Sequence, residues 1–562
     1  MRRWVGTAAC VWLLFATVGA VAQTPADTTK RLVEIPREKL KLSGFIQTEA
    51  GLFRSSRDPG RMPGERVRLI AQPRIRYGNW DIPMTLQVGN FEDRLLQPFN
   101  KFGMSPRYKW ITAHLGHRQL SFSPFTYHYH LLFGAGLELN PGKFRFAVLH
   151  GELNRPGVGG FVALNNVSVP PVFQRTGTMG RIGFGRPENF VDLIFLHGRD
   201  QTNGPNFLAD SLRVYPEENV VIGIHTEQRI AKYFFLKASG AASAYTLDSR
   251  SAETETEDFF MRETLFRLFQ PRISSQYMGA YMGQLEYRRG DWQAEASYTH
   301  IQPEFQSMGM YFIQSDLQRI AGGVRGRLFD RRLSVQAGYR HERNNLMNQR
   351  SSQNLRNFVN TRFTWMQQTA WMASLGITLF SIEQRPVNPE QMGQAAAFDQ
   401  LTTQVDGNFT RRRADGSPWW SVNAVFINRN DRLMGTSAYV HYSGRGSYFI
   451  PIGQVQRWSL QPELGLTTFT VMQSFSSTRI APGVRLGYRH RQKGVDAFLL
   501  TVPTTEINSL TDDAFVWRNG FSSGYRFKRK HRIGLRMDHS YRTGNFAYQE
   551  FRGTVTYQYN FL

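Results

Sequence analysis

The chain has 562 residues, a formal charge of +24, 13% aromatic residues, 50 glycines and one cysteine. Stretches that read as long helices are scarce, so this composition fits an all-β architecture with many turns and argues against a string of α/β domains. The lone cysteine, Cys10, falls in the N-terminal segment read below as removed on export, which leaves the mature chain without disulfides, thiolate metal sites or a cysteine nucleophile.

The N-terminus reads as a targeting segment. Arg2 and Arg3 give a basic start, Val11 to Val18 form the heart of an apolar run, and Ala20-Val21-Ala22 is an A-x-A cleavage site with Gln23 as the new N-terminus. Residues 1–22 are therefore expected to be a signal peptide. Without Arg2 and Arg3 the charge of +24 becomes +22. Residues 23–39 are polar, hold Pro25 and Pro36, and read as a short periplasmic tail, too short for a folded plug. No later stretch approaches the roughly 20 continuous apolar residues of a membrane helix. A membrane is still open to this chain, because closed barrels also satisfy every backbone group in hydrocarbon.

From Leu40 to Leu562 the pattern is alternation in segments of about ten residues, as membrane barrel strands require. Val67, Leu69, Ala71, Pro73, Ile75 and Tyr77 share one face, and Arg66, Arg68, Gln72, Arg74 and Arg76 the other, with Ile70 as the exception. The turn Gly78-Asn79-Trp80 leads to Ile82, Met84, Leu86 and Val88 on one face. The pattern recurs at Trp292 to Thr299, Leu333 to Arg340 and Trp371 to Leu379. Short connections, such as Asn140-Pro141-Gly142-Lys143 and Phe329-Asp330-Arg331-Arg332, alternate with long ones at 54–65, 154–173, 200–217, 248–275, 303–315 and 382–399. Short turns are expected on the periplasmic side and long loops outside. The reading is a transmembrane antiparallel β-barrel of about 26 strands, with 24 as the alternative. The pair at 107–126 is placed around Gly116-His117-Arg118, and two strands are required there to keep both termini on one side.

The last strand puts Phe551, Gly553, Val555, Tyr557, Tyr559 and Phe561 on one face and Arg552, Thr554, Thr556, Gln558 and Asn560 on the other. A long amphipathic strand with Tyr557, Tyr559 and Phe561 near the chain end resembles the C-terminal signal read by the outer-membrane assembly machinery, although Leu562 follows the final aromatic. Residues 40–53, Leu-Lys-Leu-Ser-Gly-Phe-Ile-Gln-Thr-Glu-Ala-Gly-Leu-Phe, resemble the opening strand of porin-like barrels of Bacteroidota. Leu115-Gly116-His117-Arg118 with Phe122-Ser123-Pro124-Phe125 is similar to a stretch of large porins. The resemblance implies a porin-like barrel in a bacterial outer membrane and identifies no substrate.

If the apolar faces meet lipid, the alternates line a lumen. Those alternates include Arg66, Arg68, Arg74, Arg76, Arg319, Arg325, Arg327, Arg340, Arg485, Arg489, Arg518, Arg526, Arg532 and Arg536, with Arg542 and Arg552 on the same pattern. The carboxylates read on these faces are fewer, notably Glu295, Glu342 and Asp538. Guanidinium groups keep their charge and offer several donors to oxyanions, so one reading is a lumen that prefers anions. The other is arginines that only brace the wall. The basic turns Arg411-Arg412-Arg413, His490-Arg491-Gln492-Lys493 and Lys528-Arg529-Lys530 read as solvated rims. His114, His117, His128 and His130 form no recognisable metal set, with His128 and His130 expected to face the same way. The acidic loop Glu253, Glu255, Glu257 and Asp258 reads as solvated, and Asn166-Val167-Ser168 as an incidental motif. No Gly-x-Ser-x-Gly elbow with a supporting triad and no His-Glu-x-x-His motif is found, and no catalytic residue, metal or cofactor is assigned. A barrel this wide needs inward-folded loops, with 248–275 and 382–399 as candidates.

The sequence thus points to a porin-like channel for small polar, anionic solutes. Its partners would be outer-membrane lipid and lipopolysaccharide, and the assembly machinery during biogenesis. Nucleic acid is not among the partners. The alternative is a non-transporting barrel serving as a subunit or scaffold among envelope proteins.

Overall fold

The computed structural model describes residues 39–561, apart from 58–63, 91–99, 158–159, 163–166, 170–171, 203–213, 255–268, 368–369, 388–398, 412–416, 433–437, 454–456, 472–473 and 545. The segment 1–22, nearly all of the tail 23–39, Asn166, Glu255, Glu257, Asp258, Arg412, Arg413 and Leu562 lie outside the described residues. The chain divides after Leu40, and the barrel occupies the unit from Lys41 onward.

Every wall strand pairs antiparallel with its neighbours in chain order, and the first strand, Lys41–Ser55, pairs with the last, Tyr548–Phe561. That last ladder runs from Gly44 opposite Phe561 to Ser55 opposite Glu550, so the sheet closes on itself and keeps no unpaired edge. Among the described residues the sheet has 27 strand segments. Two of them, Lys101–Met104 and Arg107–Tyr108, lie between the same neighbours and form one wall strand broken at Ser105-Pro106, where proline lacks a ladder donor. The ring therefore has 26 strands, the number that alternation and parity imply. The described residues hold no helix.

The pair near residue 110 exists but is displaced. Its turn is Lys109-Trp110, with Lys109 at φ 52°, and not Gly116-His117-Arg118. Gly116 is inside the strand Ile111–Ser121 with φ +79°. A Cβ there would lie 2.4 Å from the Phe102 carbonyl oxygen, so glycine lets two strands approach where its presence suggested a turn.

The apolar face has the layout of a membrane-spanning wall. At the short-turn end, aromatic rings form a belt: Trp365, Trp371, Phe409 and Trp420 follow one another across adjacent strands, with centroids 6.3, 5.8 and 5.0 Å apart. Trp458 and Tyr488, 4.7 Å apart, and Trp80 and Tyr108, 4.9 Å apart, continue it. Above the belt on the strand Trp371–Pro386, Ala373, Leu375, Ile377 and Leu379 keep to this face before Ser381, Glu383 and Arg385 take it over. Eight steps of about 3.4 Å at roughly 40° of tilt rise about 20 Å, close to the ~25 Å apolar band of such barrels. The tops of the longer strands thus stand clear of hydrocarbon.

Leu375→Arg, in the middle of this band, is expected to lower stability in a bilayer by about 2–4 kcal/mol. Ser374→Arg, on the opposite face one residue away, is expected to cost much less. Denaturant unfolding of liposome-embedded protein checks the contrast, and equal losses would contradict the assignment of faces.

Candidate functional site

The second face of the wall is polar, and the register carries it around the ring. Glu49 stands opposite Arg68 on one side and Thr556 on the other. Followed strand by strand, the ladders put Arg66, Arg68, Arg74, Arg76, Arg319, Arg325, Arg327, Arg340, Arg485, Arg489, Arg518, Arg526, Arg532 and Arg536 on this one face. The same face carries more acid than the sequence reading recognised. Glu49, Asp81, Asp192, Glu286, Asp406, Asp496 and Glu506 join Glu295, Glu342 and Asp538.

These acids do not cancel the arginines one for one. Glu49 takes Arg66 and Arg68, the latter at 2.8 Å. Asp81 takes Arg74, with Arg76 at 3.6 Å. Asp192 is held by both nitrogens of the Arg145 fork, at 2.8 and 2.9 Å, with Arg181 at 4.0 Å. Glu342 gathers Arg319 at 2.7 Å, Arg340 at 3.4 Å and Arg356 at 4.0 Å. Glu506 takes Arg479 at 2.9 Å and Arg542 at 2.8 Å. In these clusters five carboxylates are shared by eleven guanidinium groups, so each cluster keeps a positive charge.

Of the fourteen arginines read from sequence, Arg66, Arg68, Arg74, Arg76, Arg319, Arg340 and Arg536 make ion pairs. Arg325 binds the Gln293 side chain, and Arg485 lies over the Phe498 ring at 4.3 Å. Among the described residues Arg325, Arg327, Arg485, Arg489, Arg518, Arg526 and Arg532 have no carboxylate within ion-pairing distance.

One sector of the polar face is covered. Two connections, residues 122–127 and 302–316, interlock over it. The Ser307 hydroxyl donates to the Thr126 carbonyl at 2.5 Å, and the His128 amide donates to the Gly309 carbonyl at 3.0 Å. The Met308 amide donates to the Asn219 side-chain oxygen at 3.0 Å, and the Ser243 hydroxyl to the Gln306 carbonyl at 2.7 Å, which ties the second connection to the wall. Phe122, Phe125, Tyr127, Phe305 and Met308 pack against Leu132, Ala147, Leu149, Met179, Ile194, Leu196, Val221 and Ala280. These wall residues stand on strands between His128–Leu139 and Ser275–Arg289, on the same face as Arg145 and Asp192. Gly309 is required by the contact, since a Cβ would lie 2.3 Å from the Thr126 carbonyl oxygen. Burial pushes the Tyr127 phenol well above its usual range, so it stays neutral and donates to the His130 carbonyl at 2.8 Å.

None of the fourteen arginines stands on the strands that these two connections cover. The connections proposed from sequence to fold inward, 248–275 and 382–399, have their middles, 255–268 and 388–398, outside the described residues. The packed cover comes from two others. Their sequence signal was the Phe122-Ser123-Pro124-Phe125 run, whose rings are nearly all buried. His128 and His130 do not converge: Tyr129 between them has φ 50°, His128 meets the Ser121 hydroxyl, and His130 stacks on Tyr311 at 4.1 Å. His114 contacts Ser105 and Glu138, and His117 lies between Phe102 and Phe133. Among the described residues no three His, Cys, Asp or Glu side chains come together as a metal set.

No protein-family model and no curated protein matches this sequence. Among solved structures the chain is similar to the P pilus usher PapC translocation pore, at 10% identity over 93% of this chain and 99% of that one, with a TM-score of 0.40. It is similar to the FrpB iron transporter of Neisseria meningitidis, F5-1 variant, at 10% identity over 92% and 82% of the two chains, TM-score 0.39. It is also similar to OccK2 of Pseudomonas aeruginosa, at 10% identity over 93% and 100%, TM-score 0.29.

Phe305 is fully buried in the cover, and Phe305→Ala is expected to remove about 3–5 kcal/mol of its packing. Hydrogen exchange at the His128 and Met308 amides should accelerate while the strands Trp371–Pro386 and Trp458–Val471 stay protected. Unchanged exchange at those two amides would contradict a packed cover.

Proposed function

We propose that this protein is an outer-membrane channel through which small polar solutes diffuse, anions preferentially, along an arginine-lined lumen. A closed barrel in lipid turns its apolar face outward, which leaves the polar face to enclose the lumen. The observation that carries the reading is the excess of guanidinium on that face: carboxylates shared by two or three arginines, and seven more arginines among the described residues with none. Fixed positive charge along a low-dielectric wall raises the local concentration of anions. A purely bracing role would be met by one-to-one pairs. The cover formed by residues 122–127 and 302–316 narrows one side and does not reach the strands that bear the seven arginines without a carboxylate, which supports a channel over a non-transporting scaffold among envelope proteins.

Export by cleavage after Ala22, a periplasmic tail at 23–39 and kinship with the porin-like barrels of Bacteroidota belong to the same proposal. So does recognition of Tyr557, Tyr559 and Phe561 by the assembly machinery. These three residues lie on the closing strand, opposite Thr48, Ile46 and Gly44, so the strand proposed as the signal is the one that completes the barrel. Lipid and lipopolysaccharide would contact the apolar face. No catalytic residue is assigned.

Purified protein in planar bilayers under a potassium chloride gradient is expected to conduct, with a reversal potential of the sign set by chloride. Replacing Arg325, Arg327 and Arg518 together by glutamine should move that potential toward zero. Absence of conductance, or a potential set by potassium, would refute the channel as proposed.

A further inference from the structure

The geometry points to a specific oxyanion-binding subsite at the short-turn end of the polar face, built on Arg526 and Arg532 with Arg485 beside them. Its occupant would be a small multivalent oxyanion of the phosphate type. The identification of that occupant as a diffusing solute rests on the channel reading above.

Arg526 and Arg532 are directly opposed across two antiparallel strands, Ala514–Phe527 and His531–Arg542. Like charges in that position repel, and a protein without use for them would place a carboxylate between them. Elsewhere on this face it does so: Glu49 is set between Arg66 and Arg68, and Glu506 between Arg479 and Arg542. Between Arg526 and Arg532 there is none. The nearest acid by register, Asp496, stands opposite Arg489 and Gly524, lies against the bare Gly524 backbone, and makes no ion pair among the described residues.

Beside Arg532 the wall supplies a cavity of about 400 Å³ lined by Arg485, Arg532, Asp496, Phe498, Gln47 and Gln558, among others, and Arg526 adjoins that lining as the register partner of Arg532. Gln558 is opposite Arg532, and Gln47 is opposite Gln558, which places neutral amide donors beside the charged ones. Phe498 holds the Arg485 guanidinium over its ring at 4.3 Å, fixing one donor fork without spending its charge on an acid. With Arg489, four arginines face one aspartate here. Two planar forks on adjacent strands suit the several oxygens of one phosphate better than a single chloride, because each fork takes two oxygens. The turns below the site carry further charge: Arg491 and Lys493 on one, Lys528, Arg529 and Lys530 on the next, joined where the Arg526 amide donates to the Gly494 carbonyl at 2.7 Å. Read from sequence alone, those turns were solvated rims. Beside the subsite they attract anions to its entrance.

The test is equilibrium binding of inorganic phosphate to the full-length protein in detergent micelles, followed by phosphorus NMR line broadening. The wild type should show saturable broadening, and R526Q/R532Q should bind about tenfold more weakly or worse. R289Q/R332Q removes the same charge from short turns on the far side of the ring and should bind as the wild type does. Heat-modifiable migration on gels verifies that each barrel is folded. If the glutamine pair does not fold, R526K/R532K keeps the charge, loses the forks, and should show weakened binding. Absence of saturable binding by the wild type, or equal binding by the arginine variants, would overturn the subsite. The assay needs no conductance, so its outcome is separate from that of the channel. An anion-selective pore that does not bind phosphate refutes the subsite alone, and a non-conducting barrel that binds it refutes the channel alone.

Discussion

Backbone hydrogen bonding is the constraint on which everything else here depends. In hydrocarbon each unpaired N–H or C=O costs several kcal/mol, so a sheet can cross a membrane only if it has no edge. Closure then forces the first and last strands together, which sets Glu49 against Arg68 on one side and Thr556 on the other. It also fixes parity. An even ring returns the chain to the side it started from and lets every short turn fall at one end. Once the ring is closed, the alternation of each strand adds up to two continuous faces, and one residue of slip anywhere would exchange them.

The polar face carries a second constraint. Guanidinium groups on a wall of low dielectric are costly to leave bare, yet a full set of carboxylates would erase the field they create. The arrangement found is intermediate. Glu342 and Glu506 each anchor two or three arginines, so the wall is held in shape by ion pairs and stays positive overall. These partners sit on neighbouring strands, so the pairs also stitch the ring laterally: Arg319 reaches across to Glu342, and Arg362 reaches Asp406 two strands away.

The strands and the arginine face were legible in sequence because both depend on period two alone. Val67 to Tyr77 announces two faces whatever surrounds it. Three things were not legible. The strand break at Ser105-Pro106 and the positive φ of Gly116 moved a turn, because glycine and proline mark both turns and irregular strands, and only the partner strand decides which. The carboxylates that share arginines were undercounted, since Asp81 and Asp192 are single acids in segments whose neighbours carry the visible pattern. The covered sector was missed for a different reason. On strands such as Asn189–Asp200, Ile194 and Leu196 point to the polar face while Leu193 and Phe195 point to the other. Such runs are apolar on both sides and read as weak alternation. Their meaning, that something packs on the second face, appears only once a partner is in place.

That partner narrows so wide a ring from one side. A 26-strand wall cannot be filled by its own side chains. The chain supplies 122–127 and 302–316 from the long-loop end, and it makes the strands beneath them apolar so that the cover is held by burial as well as by the bonds of Asn219 and Ser243. Burial and fixed charge exclude each other on one surface, because apolar packing around an unpaired guanidinium would strip its water. On the covered strands Arg145 and Arg181 are accordingly paired with Asp192, and Arg175 with Asp200, while the seven arginines without a carboxylate stand on other strands. The division of the polar face into a packed sector with paired arginines and a sector with unpaired ones is thus one decision seen from two sides. On the channel reading it is also what gives the passage its sign, since the solute is confined against the charged wall.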